Sequence, residues 1–288
     1  MTLESFIPEI WANEIALSLD KLLVYAQDGI VNRNYEGEIA GAGDTVKISG
    51  IGPVSVGTYT KNTDIGDPET LTDAQTTLVV DQQKYFNFQV DDVDKAQQKP
   101  KVMGGAMERA AYGMRDAIDQ YIATMYADAN ASNWVGTEGS PKTPNNTALD
   151  TSNIYNLIVD CGTALTDRKC PTEGRWMIVP PWFAGRLLKE PMLIKVNESG
   201  TQNALRNGEI GQIAGFRIMQ SHNVPYTTST TCFKIMFGVA DAITYASALT
   251  SLEAYRPQKR FADAVKGLNV YGAKVVYPDM LGVLCASV

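Results

Sequence analysis

The chain has 288 residues, with 25 Lys and Arg against 32 Asp and Glu; the formal charge of −7 leaves no bulk cationic character for holding nucleic-acid phosphates or an anionic membrane. Hydrophobic residues make up 44% and charged residues 20%, the balance of a chain that buries a core rather than one that stays unfolded. One histidine excludes a multi-histidine metal centre, and four cysteines (Cys161, Cys170, Cys232, Cys285) without CxxC spacing support neither a zinc ribbon, a redox dithiol nor a disulfide scaffold.

The N-terminus, Met1-Thr2-Leu3-Glu4-Ser5-Phe6, has no basic stretch ahead of an apolar one and is not a signal peptide. No run approaches the roughly 18 uncharged apolar residues that span a bilayer. The expected product is soluble, acidic and intracellular when made. Residues 1–44 read as an arm. Phe6, Ile7, Ile10, Trp11, Ile15, Leu19, Leu22 and Leu23 recur at spacings of three and four, as in an amphipathic helix, until the glycine-bearing run from Asn32 to Asp44 breaks it. Two readings stay open: an ordinary first helix on its own core, or an extension whose apolar face docks on a neighbour.

Residues 45–90 read as a two-stranded excursion. Val46 and Ile48 alternate with Lys47 and Ser49, and Phe86, Phe88 and Val90 alternate with Asn87 and Gln89. Between them, Gly50 to Thr76 is rich in Gly, Thr and Asp and poor in large apolar residues. So long a segment without its own core is functional or in contact with something else, and a lone ribbon is only marginally stable in water. Asp64, Asp67, Glu69 and Asp73 against Lys61 predict a basic partner face; the alternative is an acidic surface loop.

Residues 101–127 read as one helix, about 40 Å long at 1.5 Å per residue. Met103, Met107 (or Ala106), Ala110, Met114, Ala117, Ile118, Tyr121, Ile122 and Met125 mark its apolar stripe, with Arg109, Arg115, Asp116, Asp119 and Gln120 off it. A polar connector with Pro141 and Pro144 follows. Ser152-Asn153 caps a further helix through Ile154, Leu157, Ile158, Cys161 and Leu165. Trp176–Val179 is a buried strand stopped by Pro180-Pro181, 182–189 is helical, 190–209 is a loop, and Phe216–Met219 and Phe233–Phe237 are strands. Asp241–Ala246 is a short helix or turn. From Ser251 to Val288 the pattern is strand-like, punctuated by Pro257, Gly267, Gly272 and Pro278, and this tail is expected to return and pack on the 101–127 helix.

Little catalytic chemistry is visible. Ser221 and His222 are adjacent, so on a strand they point to opposite faces and do not form a nucleophile–base pair. Asp91-Asp92-Val93-Asp94 lacks the Asp/Asn alternation and closing Glu of a calcium loop and reads as helix-capping carboxylates. Gly41-Ala-Gly43 and Gly50-Ile-Gly52 neither follow a strand nor open a helix, so dinucleotide binding is unsupported. No catalytic, cofactor-binding or metal-ligating residue is assigned. Arg256, Lys259 and Arg260, interleaved with Tyr255 and Phe261, are the most basic local patch; it suits nucleic acid or the acidic arm of another copy equally.

The order of parts, with the phrases Phe6-Ile-Pro-Glu-Ile-Trp11, Gly37-Glu-Ile-Ala-Gly-Ala-Gly-Asp-Thr-Val-Lys-Ile48 and Gly211-Gln-Ile-Ala-Gly-Phe-Arg-Ile-Met-Gln-Ser221 through Pro225, resembles the major capsid proteins of tailed bacteriophages along essentially the whole chain. The resemblance implies an α+β fold of the Hong Kong 97 type. It implies an N-terminal arm (1–44), an extended β loop (45–90), a peripheral domain with a spine helix (91–148), an axial domain (149–250) and C-terminal strands completing the peripheral domain (251–288). It implies a structural role: self-assembly into pentamers and hexamers of an icosahedral head around double-stranded DNA, with a separate scaffold protein and a portal as partners and no sequence-specific DNA contact. Intersubunit contacts are expected from Phe6, Ile10 and Trp11, and from Lys61, Asp64, Asp67, Glu69 and Asp73 meeting a neighbour's Arg256, Lys259 and Arg260. The rival readings are a bacterial nanocompartment (encapsulin-like) shell, a phage tail or fibre component and, remotely, a soluble hydrolase using His222 or Asp91–Asp94.

Overall fold

The computed structural model describes residues 24–35, 45–51, 55–64, 66, 70, 73–91, 102–147, 150, 152–190, 212–229, 231–259 and 261–288. The largest layer is a seven-stranded sheet. Its strands are β4 (Trp134–Val135), β5 (Arg175–Val179), β6 (Gln212–Ile213), β7 (Phe216–Gln220), β8 (Tyr226–Thr227), β9 (Cys232–Val239) and β12 (Leu281–Ala286), in the spatial order β4-β12-β9-β5-β7-β6 with β8 on β9. β5 is buried at every position and lies between β9, antiparallel, and β7, parallel. A strand covered on both faces has no polar side, which is why Trp176–Val179, after the buried Arg175, is a continuous apolar run rather than an alternation.

Two helices cover this sheet. α2 (Ile154–Asp167) starts at Asn153, whose Oδ1 accepts the Tyr155 N–H at 2.8 Å. Its Ile154, Ile158, Cys161 and Leu165 sit in the core with Trp176, Ile178, Phe216 and Phe237. Arg175 closes its other end, donating to Gly162 O and Thr166 Oγ1 of the helix and to Cys170 O and Pro171 O just beyond it, a cation at the helix C-terminal end. α3 (Pro181–Leu187) adds Phe183 and Leu187.

A second layer is the three-stranded antiparallel sheet β10 (Ile243–Tyr255), β11 (Ala262–Val275) and β3 (Gln82–Asp91), in the order β10-β11-β3. The helix α1 (Val102–Ala123) lies on it, its Met107, Ala111 and Met114 meeting Val265, Phe86, Phe88, Leu252 and Ala254. Farther along, Ile118, Ile122 and Ala123 of the same helix enter the large core. One apolar stripe thus ties both layers together. The helix is about 33 Å long rather than about 40 Å. Beyond Ala123 the chain tightens into a 3₁₀ turn at 124–128, where Thr124 Oγ1 donates to Tyr121 O.

The third element is a ribbon of β1 (Thr45–Ile51) and β2 (Asp73–Val79), in register from Thr45↔Val79 to Ile51↔Asp73. Here the structure corrects the expectation that Val46–Ile48 would pair with Phe86–Val90. β3 needs a covered face for Phe86 and Phe88, and it finds one under α1, whereas β2 has a single large buried side chain, Leu78. At the ribbon's base Val46, Ile48 and Leu78 pack on Ala246, with Tyr35 and Val276 beside them.

The C-terminal tail differs from expectation in three ways. The short helix or turn expected at 241–246 is a 3₁₀ turn at 240–242 only, and residues 243–255 form one strand. Gly267 and Gly272 do not punctuate; both lie inside β11. A Cβ at Gly267 would stand 2.5 Å from the Phe86 ring, and one at Gly272 2.5 Å from the Val79 carbonyl oxygen, so glycine is there for close approach. Finally, β12 does not join the sheet under α1. It is buried at all six positions and lies between β4 and β9, because a wholly apolar strand needs cover on both faces.

Candidate intersubunit surfaces

The ribbon changes character along its length. Its base is in the core, yet every described residue from 55 to 70 is exposed, including Val56 at 97% and Tyr59 at 69%. The Thr63 N–H donates to Thr60 O at 3.2 Å, closing a turn in which Asn62 takes φ 66°. Lys61 and Asp64 are exposed beside it. Asp73 stands opposite Ile51 at the far end of the paired strands. Asp67 and Glu69 lie outside the described residues, as do Phe6, Ile10 and Trp11.

Arg256 and Lys259 are exposed on the connection between β10 and β11, which ends at Phe261, 85% exposed. Arg256 Nε lies 3.3 Å from Asp263 Oδ1, so part of the patch's charge is met within its own chain. Arg260 lies outside the described residues. Below the tip, the sheet face away from α1 is polar: Tyr255 donates to Asn87 Oδ1 at 3.1 Å, and Lys266 stands 2.8 Å from Glu253 and over the Tyr255 ring. The Lys266 ammonium is held above its usual range by Glu253. The described members of these groups therefore sit on two separate tips, Lys61 and Asp64 on the ribbon and Arg256 and Lys259 on the β10–β11 connection.

The residues considered for chemistry are dispersed. His222 is exposed, while Ser221 is buried and its Oγ accepts the Asn223 N–H. Asp91 ends β3 opposite Ala262, and 92–94 lie outside the described residues. Among the described residues no three His, Cys, Asp or Glu side chains cluster as a metal site, and no helix is long and apolar enough to cross a membrane.

Lys234 and Asp119 are two of the buried charged residues. Lys234 is 5% exposed inside β9; its Nζ meets Glu138 and donates to Tyr126 OH at 2.7 Å. Burial pulls this ammonium down, but Glu138 and Tyr126 outweigh it and the net shift is upward. Asp119, expected on the polar side of its helix, is instead 3% exposed. It accepts the N–H groups of Val24 (3.0 Å) and Tyr25 (3.1 Å), and burial pushes its carboxyl up to about 6 despite those bonds and Arg115. A lysine within an apolar strand was a legible signal for Lys234; nothing local marks Asp119.

A model of the phage capsid protein family matches residues 73–283. Among solved structures, a chain from Mycobacterium phage Che8 is 29% identical with a TM-score of 0.70, the match covering 91% of this chain and 90% of that one. The capsid structure of cyanophage P-SCSP1u is 16% identical with a TM-score of 0.67, covering 89% and 86%. The capsid of Ralstonia phage GP4 is 12% identical with a TM-score of 0.66, covering 93% and 89%. No curated protein matches the chain.

Proposed function

Because this chain belongs to the phage capsid protein family, with the Hong Kong 97-type fold, we propose that it builds its shell by lending its ribbon tip to a neighbouring copy. It is the major capsid protein of a phage head and a component of the virion. The observation that supports the lending is the ribbon's division into a covered base and a tip with no covered side chain among the described residues 55–70. The proposed contact sets Lys61, Asp64, Asp67, Glu69 and Asp73 against a neighbour's Arg256, Lys259 and Arg260. Such a contact joins unlike patches head to tail, the kind of interface that closes rings such as pentamers and hexamers.

Exposed ion pairs contribute only about 0–1 kcal/mol each. Most of the holding energy therefore comes from apolar docking: Val56 and Tyr59 at the tip, and Phe6, Ile10 and Trp11 in the arm. Several modest contacts per subunit multiply through multivalency into a tight shell, while each remains weak enough to be corrected during assembly. In this reading the shell closes around double-stranded DNA. Its assembly is tested by expressing the full chain and a variant with 52–72 replaced by Asn-Gly, which closes β1 onto β2 with a two-residue turn. Electron microscopy should show closed shells for the first and dispersed, folded subunits for the second. Normal shells from the shortened chain would remove the ribbon tip from assembly.

A further inference from the structure

We propose that Asp119 is the anchor fixing the point at which the N-terminal segment joins α1, and so a positioning residue for the arm that carries Phe6, Ile10 and Trp11 to a neighbour. The arm's destination rests on the shell reading above; the anchor itself does not.

The geometry is that of a clamp. Asp119 Oδ2 accepts the Val24 N–H and Oδ1 the Tyr25 N–H, joining residues 95 and 94 positions apart in the chain. The residues held are deep in the molecule: Tyr25 and Ala26 are fully buried, as are Ile30 and Val31 just beyond. Val24 and Tyr25 lie in turn-like chain rather than in a helix or strand, so the carboxylate stands in for the secondary structure that would otherwise satisfy their N–H groups. No apolar side chain at 119 could accept two donors. A buried carboxylate is costly to desolvate, and what it returns is a defined position for the backbone it grips.

The segment has a second tie, made by backbone alone: the Asn32 N–H donates to Ile243 O at 2.8 Å and the Tyr245 N–H to Asn32 O at 3.0 Å. One end of 24–32 therefore depends on a side chain and the other does not, which gives the experiment an internal control. The ionisable groups facing Asp119 are the Tyr25 phenol, from the segment it holds, and Arg115, one helical turn earlier; Asp116 bonds Asn223 and Gln120 instead.

The buried carboxyl also links folding to pH. Its carboxyl lies near 6 in the folded chain, against 3.8 as the reference value, because burial outweighs the N–H donors and Arg115. The contribution of this shift to the stability of the folded chain is fully present below about pH 3.8 and is lost as pH rises through about 6. The bonds to Val24 and Tyr25 pull the other way: they favour the ionised carboxylate, so protonation relieves the cost of burial while weakening the clamp itself.

The test is hydrogen exchange of the full-length chain, read at residues 24–26 and at Asn32 and Tyr245, alongside electron microscopy of assembled particles. In Asp119→Ala, protection at 24–26 should fall at least ten-fold while Asn32 and Tyr245 keep theirs. Asp119→Asn, which keeps one carbonyl but turns an NH₂ toward the other N–H, should fall in between. Closed shells should become rarer or misshapen in both. Unchanged protection at 24–26 overturns the anchor. Lost protection with normal shells overturns the positioning role and leaves the shell reading standing, whereas a wild-type chain that never forms shells removes the arm's destination. Should Asp119→Ala not fold, Asp119→Asn decides by the same internal ratio: protection at 24–26 must fall relative to Asn32 and Tyr245, and an unchanged ratio overturns the proposal.

Discussion

The seven-stranded sheet and the β1–β2 ribbon are built from similar strand pairs but are held in opposite ways. In the sheet, β5 and β12 are buried at every position, and Phe237 lies edge-on to Phe216, their ring centroids 6.0 Å apart. Its stability is internal, because each strand finds cover within the chain. The ribbon buries Val46, Ile48 and Leu78 at one end and exposes all the described residues at the other. The contrast separates what a subunit needs to fold from what it carries for its neighbours. Damage to the first region should appear as lost subunit stability, and damage to the second as lost assembly by a subunit that still folds.

The sharpest way to break this contrast is to replace 52–72 by Asn-Gly: closed particles should disappear from micrographs while the subunit's melting temperature stays within a few degrees of wild type. Phe237→Ala does the reverse. It empties a fully buried aromatic site and should lower subunit stability by about 3–5 kcal/mol in chemical denaturation. Gly267→Val sharpens the comparison inside the β10-β11-β3 sheet. Its side chain must displace the Phe86 ring, which should cost about 1–3 kcal/mol by the same measurement and loosen β3 under α1. The smallest effect is expected from Arg256→Glu with Lys259→Glu. Assembly followed by light scattering should weaken and lose part of its salt dependence, by about 0–1 kcal/mol per exposed pair. An unchanged salt dependence would take this patch out of the contact.

The two regions were also unequally legible in the sequence. Trp176–Val179, the Asn153 cap and the helical spacing of Ile154, Ile158, Cys161 and Leu165 are strong local signals, and each marks the element it should. The pairing of the ribbon was not legible, because β2 (DAQTTLV) offers one buried large residue, whereas the Phe86/Phe88 alternation is conspicuous but belongs to a different sheet. Gly267 and Gly272 read as breaks because the close approach they permit comes from chain far away in sequence. Asp119 fails for the same reason: its partners, Val24 and Tyr25, lie 95 and 94 residues earlier. Local periodicity reports what a residue does within its own element. It says nothing about which distant backbone a side chain will meet.

Hydrogen exchange of residues 55–64, compared between dissociated subunits and assembled shells, tests the division of labour most directly. These amides should exchange freely in the dissociated subunit and become protected only on assembly. Protection already present in a solitary subunit, or its absence in both states, would contradict the account.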